Sequence, residues 1–443
     1  MPEHSVQKPV RIGILGAGVS GLSAAYFLRS HLSELKTKGV KIEVEIYEAT
    51  NKTGGLARSF RWHGVWCDIA PHRLHTQDKE TLQELMQLVP MHQQKRKSKI
   101  YIQNKWITDP VNPVEILLKF FPGKSLGILF TYLKARFTRQ GNQDSFEGLV
   151  LRRFGSGLNE FFFKPYSEKL FGIPASTIAA EWGRRKIRVS GVKDMLKRDS
   201  KLYFASFYYP KRGGYGAISQ RLYQSVAESV QLGVKVTAVE HHKASENGKA
   251  GSYTCSFESA DGKSFTREFD ILISTLPLKS FAALFGINLK LSFRPARLLY
   301  LNVNQANLTG MHWFYVADAG YRINRVAEFK HFSHDHDAAG NSVICVEVTN
   351  TQDFSIANVI SELESIGVIR AADVIDTKLI DIPCAYPIYD LSYAEERNRA
   401  RSYFKQHPNI YFLGRNAQFS HVDVDEIFSA AKDMTKELVA SLV

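Results

Sequence analysis

The chain has 443 residues, of which 44% are hydrophobic and 12% aromatic, and a formal net charge of +13 at pH 7. This composition is typical of a folded protein, and the length predicts two closely packed domains. The four cysteines lack disulfide or metal-ligand spacing, so we expect a reducing, cytoplasmic compartment. The first ten residues are polar and no run of about 18 apolar residues occurs, so neither a signal peptide nor a spanning helix is expected.

Positive charge is concentrated between residues 91 and 140, which contain ten Lys or Arg and two acidic residues. Such a surface suits an anionic substrate, an anionic membrane or nucleic acid. No nucleic-acid-binding motif accompanies it, so nucleic acid is not expected. Residues 113–137 predict two short helices broken at Pro122-Gly123. They could lie on a membrane surface, but we favour helices of a substrate-covering cap, because apolar helical stripes usually pack in a core.

The first motif in the chain is a glycine-rich turn. Residues 11–15 predict a strand, which runs into Gly16-x-Gly18-x-x-Gly21 and then an apolar helix. Gly16 permits a tight turn, Gly18 lets the backbone approach a pyrophosphate, and Gly21 lets helix and strand pack closely. The motif therefore predicts a dinucleotide phosphate at the helix N-terminus, with Ser20 in the phosphate cradle.

A carboxylate and a second glycine pair follow this turn. The second predicted strand, 41–48, ends at Glu48, which we expect to accept hydrogen bonds from a ribose diol. Glu48 lies later than the usual ~20 residues after the fingerprint, so we expect residues 29–39 to lengthen the intervening helix and its exit turn. A solvated glutamate at a strand end is the alternative. The pair Gly54-Gly55 comes next.

The rest of the chain alternates between helical and strand patterns. Residues 78–200 are mostly helical in pattern, and alternating apolar residues between 290 and 350 predict an antiparallel sheet. Three histidines, His331, His334 and His336, match no trusted zinc spacing, so no metal site is expected. A glycine-rich loop, short strands and a final helix are predicted in 208–222, 234–239, 270–275, 410–415 and 425–438.

Taken together, these motifs resemble those of the flavoprotein superfamily of amine oxidases, protoporphyrinogen oxidases and UDP-galactopyranose mutases, over nearly the whole length. The resemblance implies an α/β fold with a discontinuous Rossmann-type FAD-binding domain, formed by residues 9–77, 208–282 and 405–443. It further implies a helical cap in 78–207 and a substrate domain of mostly antiparallel sheet in 283–404. Non-covalent FAD is the implied cofactor, with the protein supplying position and charge.

The resemblance also implies which residues contact FAD. The segment 53–59 resembles the family's paired-glycine segment beside the pyrophosphate, and Arg58 would lie near the isoalloxazine or phosphates. The loop after Asp68 resembles the loop that passes the flavin ring, with His72 near N5, and Asp425 would open a last helix whose N-terminus stabilises negative charge on the flavin. The full expected set is Gly16, Gly18, Ser20, Gly21, Glu48, Gly55, Leu56, Ala57, Arg58, Pro71, His72, Val236, Thr275, Gly414, Arg415 and Asp425.

For the reaction, we expect an FAD-dependent oxidoreductase similar to amine and protoporphyrinogen oxidases. A small-molecule substrate, possibly anionic, would lie between cap and sheet and pass a hydride to flavin N5, with His72 and Arg415 flanking the ring. The implied catalytic residues are His72, Arg325 and Tyr386. The implied substrate-binding residues are Tyr166, Arg188, Arg325, Tyr386 and Tyr389.

Two alternatives remain. In a redox-neutral UDP-galactopyranose mutase, reduced flavin N5 attacks the anomeric carbon of a nucleotide sugar. The segment 325–333 resembles the mutase segment with a diphosphate-binding arginine, and Tyr166 resembles the uridine-stacking tyrosine. The segment around Arg188 lacks the mutase proline, however, and Gly414-Arg415 replaces the Gly-Asp common in amine oxidases. The second alternative is a membrane-surface flavoprotein that transfers electrons.

Overall fold

The structure is a computed structural model that describes residues 8–187, 206–243 and 251–443, except positions 110, 112, 121, 122, 136, 139, 140 and 339. Its helices are α1 Val19–Ser30, α2 Leu32–Thr37, α3 Lys79–Leu88, α4 Pro113–Phe120, α5 Gly123–Ala135, α6 Phe146–Leu158, α7 Lys164–Phe171, α8 Ala180–Lys186, α9 Ala217–Val226, α10 Leu278–Ala283, α11 Ile356–Ser365, α12 Tyr393–Phe404 and α13 Val424–Ser441. Within these ranges, no helix has the length and apolar character needed to cross a bilayer.

The strands are β1 Val10–Leu15, β2 Ile42–Glu48, β3 Ser59–Trp62, β4 Val65–Asp68, β5 Met91–Lys95, β6 Ser98–Ile102, β7 Lys105–Thr108, β8 Ser206–Pro210, β9 Val230–Leu232, β10 Val234–His242, β11 Ser252–Ser259, β12 Ser264–Phe269, β13 Ile271–Ser274, β14 Phe293–Val303, β15 Trp313–Val316, β16 Arg325–Glu328, β17 Ser342–Val348, β18 Val374–Pro387 and β19 Ile410–Phe412.

The fold contains two large sheets. The first is a five-stranded parallel sheet, in the order β19-β13-β1-β2-β9. Helices α1, α9 and α13 cover one face, and the antiparallel sheet β10-β11-β12 covers the other. Because strand residues alternate between faces, Ile271 and Ile273 pack in the helical layer while Leu272 packs against β11 and β12. Three separated parts of the chain build this sheet, which confirms the predicted α/β class.

The helix after the glycine-rich turn is interrupted, which differs from the expected lengthening over residues 29–39. Helix α1 ends at Ser30, and the separate helix α2 begins at Leu32. The Ser30 hydroxyl donates to the Phe27 carbonyl at 2.7 Å, and the His31 amide donates to the Leu28 carbonyl at 3.2 Å. These local bonds compete with the regular helical pattern and end α1.

The second large sheet has seven strands, in the order β18-β14-β17-β16-β15-β6-β7. Every pairing is antiparallel except that of β15 with β6. Strands β5, β6 and β7 fall in the region expected to be helical, so that expectation is wrong for residues 91–108. Strands β6 and β7 are joined by a two-residue hairpin turn, Gln103-Asn104, whose φ angles are +48° and +60°, as a type I′ turn requires. Strand β5 pairs instead with the distant β8.

Helices α4 to α8 lie beside this sheet and share an apolar cluster with β6 and β7. The break between α4 and α5 confirms the predicted pair of short helices. Within the region 78–200, which was expected to be mostly helical, the chain from residue 146 to 171 is helical but divided. Gly155 has a non-helical φ of +81°, and a π-helical turn over residues 159–163 separates α6 from α7.

Candidate functional site

Three distant parts of the chain meet at one end of the parallel sheet. Gly16 has a φ of +103°, and a Cβ added there would lie 2.3 Å from Thr275 Oγ1. Gly414 has a φ of +100°, and a Cβ there would lie 2.2 Å from Ser20 Oγ. At these two positions only glycine fits, so the first turn, the β13 exit and the β19 exit are in direct contact.

The second glycine pair packs against the first. The Gly54 amide donates to the Ala17 carbonyl at 2.8 Å, and a Cβ added at Gly18 would lie 3.9 Å from Gly55 Cα. Gly18 is the N-cap of α1, and this helix has neither a side-chain cap nor an acidic residue in its first turn. Its first amides therefore keep their capacity to bind an anion. A backbone-lined cradle of this kind fits the pyrophosphate of FAD, which the sequence resemblance implies.

Glu48 lies at the entrance to this cradle. One of its oxygens accepts from the Ala17 amide at 3.0 Å, and the other accepts from the Thr50 amide at 3.0 Å. The oxygen that accepts from the Thr50 amide also accepts from the Thr50 hydroxyl at 2.8 Å. The oxygen that accepts from Ala17 keeps a second lone pair, which suits the predicted ribose contact. Arg58 Nη1 donates to the Gly55 carbonyl at 3.0 Å, and burial lowers the pKa of this guanidinium.

Other predicted cofactor residues lie close to these groups. Ala57 is buried, and its amide donates to the Gly54 carbonyl. A Cβ at Gly21 would lie 2.0 Å from the Gly16 carbonyl oxygen, as expected for close helix–strand packing. Val236 lies in β10, where the pairing with β11 shifts between Val236 and Ala238.

The last helix begins differently from the prediction, which had Asp425 opening it. The N-cap is Asp423, whose side chain and that of Glu426 form a reciprocal capping box, so Asp425 is the second helical residue. Asp425 is buried, its Oδ1 has no hydrogen-bond partner among the described residues, and burial raises its pKa to about 6. Arg415 donates to the Val422 carbonyl at 3.0 and 3.1 Å and to Asp423 Oδ1 at 3.2 Å, which fixes the loop before the helix.

A cavity of about 860 Å³ lies between the seven-stranded sheet, helices α6 to α8 and the loop after β4. One part has an apolar lining that includes Phe146, Phe162, Phe163, Phe171 and Trp182. Elsewhere, six cationic side chains and three carboxylates contribute to the lining. Among the predicted residues, the cavity brings together Leu56, Pro71, His72, Tyr166, Arg325, Tyr386, Tyr389 and Arg415.

Not every predicted substrate residue can be placed in this cavity. Arg188 lies outside the described residues. The Tyr389 hydroxyl is buried without a hydrogen-bond partner within the described ranges. The Tyr166 ring is parallel to that of Phe162, with centroids 5.9 Å apart, and burial raises the pKa of its hydroxyl.

A buried ion pair holds two of the predicted catalytic residues. Arg325 on β16 lies directly opposite Glu347 on β17. Arg325 Nε and Nη2 both donate to Glu347 Oε2, at 3.0 and 2.5 Å, and the Tyr386 hydroxyl donates to Oε1. Burial alone would lower the pKa of Arg325, but the Glu347 carboxylate raises it above its ordinary value. Burial and the same carboxylate raise the pKa of Tyr386, so the phenol keeps its proton.

His72 is a neutral imidazole at the cavity wall. It lies two residues after Ala70, which has a φ of +63°, and its Nδ1 lies 3.0 Å from the Ala70 carbonyl oxygen. Burial, with the charges of Arg415 and Arg325, lowers its pKa to about 4. Because Nδ1 carries the hydrogen that it donates to Ala70, Nε2 is left as an acceptor.

Sequence analysis missed several groups of the site. Glu347 is the single charged residue in strand 342–348, whose residues 343–346 and 348 are all apolar, and that contrast could have identified it. The sequence assigns Asp68 no role beyond preceding a loop, yet it is fully buried and accepts from Ser59 Oγ at 2.6 Å and Tyr209 Oη at 2.9 Å. Burial raises the pKa of Asp68 to about 6. No sequence signal marks Arg73, whose guanidinium lies 5.1 Å from the Trp313 ring.

Comparisons with known proteins agree with this architecture. The family described as flavin containing amine oxidoreductase matches residues 19–362. An L-amino-acid oxidase from Bothrops pauloensis is 24% identical over 303 residues, which cover 61% of this chain and 53% of that protein. The chain thus aligns with about half the length of such relatives. A coproporphyrinogen III oxidase from Staphylococcus aureus is 40% identical over 60 residues, covering 14% of this chain and 11% of that protein.

Solved structures share the fold over nearly the whole chain. A reduced UDP-galactopyranose mutase has a TM-score of 0.78 at 19% identity, covering 98% of this chain and 96% of that one. A putative protoporphyrinogen oxidase from Exiguobacterium sp. 255-15 has a TM-score of 0.75 at 15% identity, covering 98% and 99%. The description of the matched family confirms the predicted flavin cofactor.

Proposed function

Because this chain belongs to the flavin containing amine oxidoreductases, we propose that it is an FAD-dependent oxidoreductase acting on a small molecule in the cavity beside His72. The FAD is bound non-covalently in the glycine cradle. When bound, FAD supplies the acceptor for a hydride. The chain itself supplies the orientation of the substrate, the exclusion of water and the local charges.

The observation that carries this proposal is the position of Glu347. A mutase would use Arg325 and Tyr386 to hold a diphosphate, but in this structure both side chains donate to the Glu347 carboxylate. The buried negative charge compensates Arg325 and repels a second anion at the same place. An oxidation does not require a diphosphate-binding site at this position. The fixed ion pair of Arg325 and Glu347 can orient a substrate that contacts the Tyr386 hydroxyl and the free edge of the Arg325 guanidinium.

The remaining groups suit a substrate with an apolar body and an anionic substituent. The aromatic side chains of α6 to α8 exclude water from one part of the cavity. Arg73 has no carboxylate partner within hydrogen-bonding distance among the described residues, and its guanidinium is available to a carboxylate of the substrate. Neutral His72 presents Nε2 as an acceptor, which can hold a proton leaving the substrate.

An anaerobic titration tests this function. The FAD-loaded protein is mixed with L-amino acids, putrescine, coproporphyrinogen III and UDP-galactopyranose in separate experiments, and the flavin absorbance is recorded. We expect one reductant to bleach the band and air to restore it. The variant Arg73→Met should weaken binding of a carboxylate substrate while the flavin content stays unchanged. A protein whose flavin band no member of the panel bleaches, but which converts a nucleotide sugar, would contradict the proposal.

The excess of cationic groups in the cavity favours a mutase as the second candidate, since a nucleotide diphosphate carries several negative charges. This enzyme would be inactive as isolated in the oxidised form and would become active after dithionite. UDP would then perturb the flavin spectrum, and Arg325→Ala would abolish that response. Unchanged UDP binding in Arg325→Ala would exclude this role for Arg325.

A further inference from the structure

Helix α5 carries an apolar stripe that points into solvent. The stripe consists of Leu126, the adjacent pair Leu129 and Phe130, Leu133 and Phe137. Apart from the adjacent pair, successive members are three or four residues apart, which places them on one side of the helix and its exit turn. Each of these side chains is between 47% and 90% exposed. The expectation that apolar helical stripes pack in a core thus holds for Ile116 and Phe120 of α4 but is wrong for this stripe of α5.

The opposite side of α5 packs closely against α6. A Cβ at Gly155 would lie 2.6 Å from the Thr131 backbone, and one at Gly157 would lie 2.8 Å from Ile128 Cα. The Gly157 amide donates to Thr131 Oγ1 at 3.0 Å. Because this close packing fixes the rotation of α5, the apolar stripe cannot turn inwards without separating the two helices.

The stripe belongs to a larger apolar and cationic surface. Of the thirteen large hydrophobic side chains that are exposed in the described part of the chain, six lie between Leu118 and Phe137. The sequence from 118 to 139 contains no acidic residue and five basic ones, namely Lys119, Lys124, Lys134, Arg136 and Arg139. Leucine and phenylalanine combined with lysine and arginine are typical of helices that lie in the plane of a membrane surface.

We propose that this surface, formed by α4, α5 and Phe137, docks onto an anionic lipid bilayer. The exposed leucines and phenylalanines enter the headgroup–acyl boundary, and the exposed Lys119 and Lys134 bind the anionic headgroups. The one acidic residue of α4, Glu115, already pairs with Lys119 at 2.8 Å. A second copy of the chain would therefore bring two sets of cations together with no further carboxylate on this surface to compensate them. The bilayer therefore fits both the charge and the apolar character of this surface.

Docking at this position brings the membrane close to the cavity. Val111, just before α4, lines the cavity. Ile116 and Phe120 on α4 pack in the same apolar cluster as Phe146 and Phe171, which also line it. The helices that bind the bilayer are thus continuous with the apolar wall of the cavity.

Vesicle sedimentation with the FAD-loaded protein tests this docking. We expect the protein to pellet with vesicles of phosphatidylcholine and phosphatidylglycerol, less with phosphatidylcholine alone, and less at high salt. The double variant Phe130→Ser/Phe137→Ser should bind about 100-fold more weakly. Lys134→Gln should bind phosphatidylglycerol vesicles about fivefold more weakly, with no change on phosphatidylcholine. Ile375→Ser, which removes an exposed isoleucine on β18, is the matched control and should bind normally.

Three outcomes would overturn the proposal. The wild-type protein could stay in the supernatant with anionic vesicles, or the phenylalanine double variant could bind as tightly as the wild type. In vesicle-free solution, a dimer that dissociates in the double variant would assign the surface to a second copy instead. Flavin content and flavin reduction, measured on the same samples, report folding and the proposed oxidoreductase activity independently of vesicle binding.

Discussion

Replacing Glu347 by glutamine tests the buried ion pair directly. The carboxylate is 2% exposed and accepts three hydrogen bonds, two from Arg325 and one from Tyr386. Glutamine keeps the shape but leaves the mostly buried Arg325 charge uncompensated. Breaking a buried pair at one partner costs about 3 kcal/mol of unfolding free energy. For a chain of this length, that loss lowers Tm by about 3 °C.

Denaturant unfolding at neutral pH measures this loss. Arg325 and Asp381 provide the comparisons. The variant Arg325→Met/Glu347→Leu should recover most of the stability, because an apolar pair removes both charges together. Asp381→Asn breaks an exposed cross-strand pair with Arg297 and should cost less than about 1 kcal/mol. If Glu347→Gln loses no more than Asp381→Asn, the buried pair does not stabilise the fold as argued.

Three further variants test the cradle and the buried titratable groups. Gly414 has a φ of +100° and lies against Ser20 Oγ, so Gly414→Ala should lower the flavin-to-protein absorbance ratio. Adding Ser20→Ala should restore part of this ratio. An unchanged ratio in Gly414→Ala would contradict the contact. Asp68 keeps its proton in the folded state up to a pKa of about 6. The unfolding free energy should therefore fall by about 3 kcal/mol as pH rises from about 4 to 6, and Asp68→Asn should lack this fall. The pKa of His72 is lowered to about 4, so stability should fall as pH decreases from about 6.5 to 4, with a smaller fall in His72→Gln; equal slopes would refute its burial as a neutral group.

The cofactor cradle could be predicted from the sequence because its constraints are local. Gly16, Gly18 and Gly21 are required by a tight turn and by the close approach of a helix to a strand, and these requirements act within a few residues. The α/β class was implied by the family resemblance that these motifs carry. The capping box of Asp423 and Glu426 was equally visible, although Asp425 was chosen as the first helical residue.

Other parts of the molecule depend on long-range contacts, which the periodicity of apolar residues in the sequence does not reveal. The pairing of Arg325 with Glu347 spans 22 residues and arises only when β16 and β17 align. The exposure of the α5 stripe depends on which face of α5 packs against Gly155 and Gly157. The helical pattern of apolar residues in α5 does not determine which of its two faces makes that contact. The β6–β7 hairpin was missed because Gln103-Asn104 is an uncommon pair for a turn with positive φ angles.

The cross-strand position of Arg325 and Glu347 also has a consequence for strand alignment. A slip of one residue between β16 and β17 would send Glu347 to the opposite face of the sheet, among Ile344, Val346 and Val348. A lone carboxylate in that aliphatic layer would be strongly unfavourable. The charge pair therefore disfavours folding intermediates in which β16 and β17 pair in a shifted register, and it favours the native alignment of the two strands.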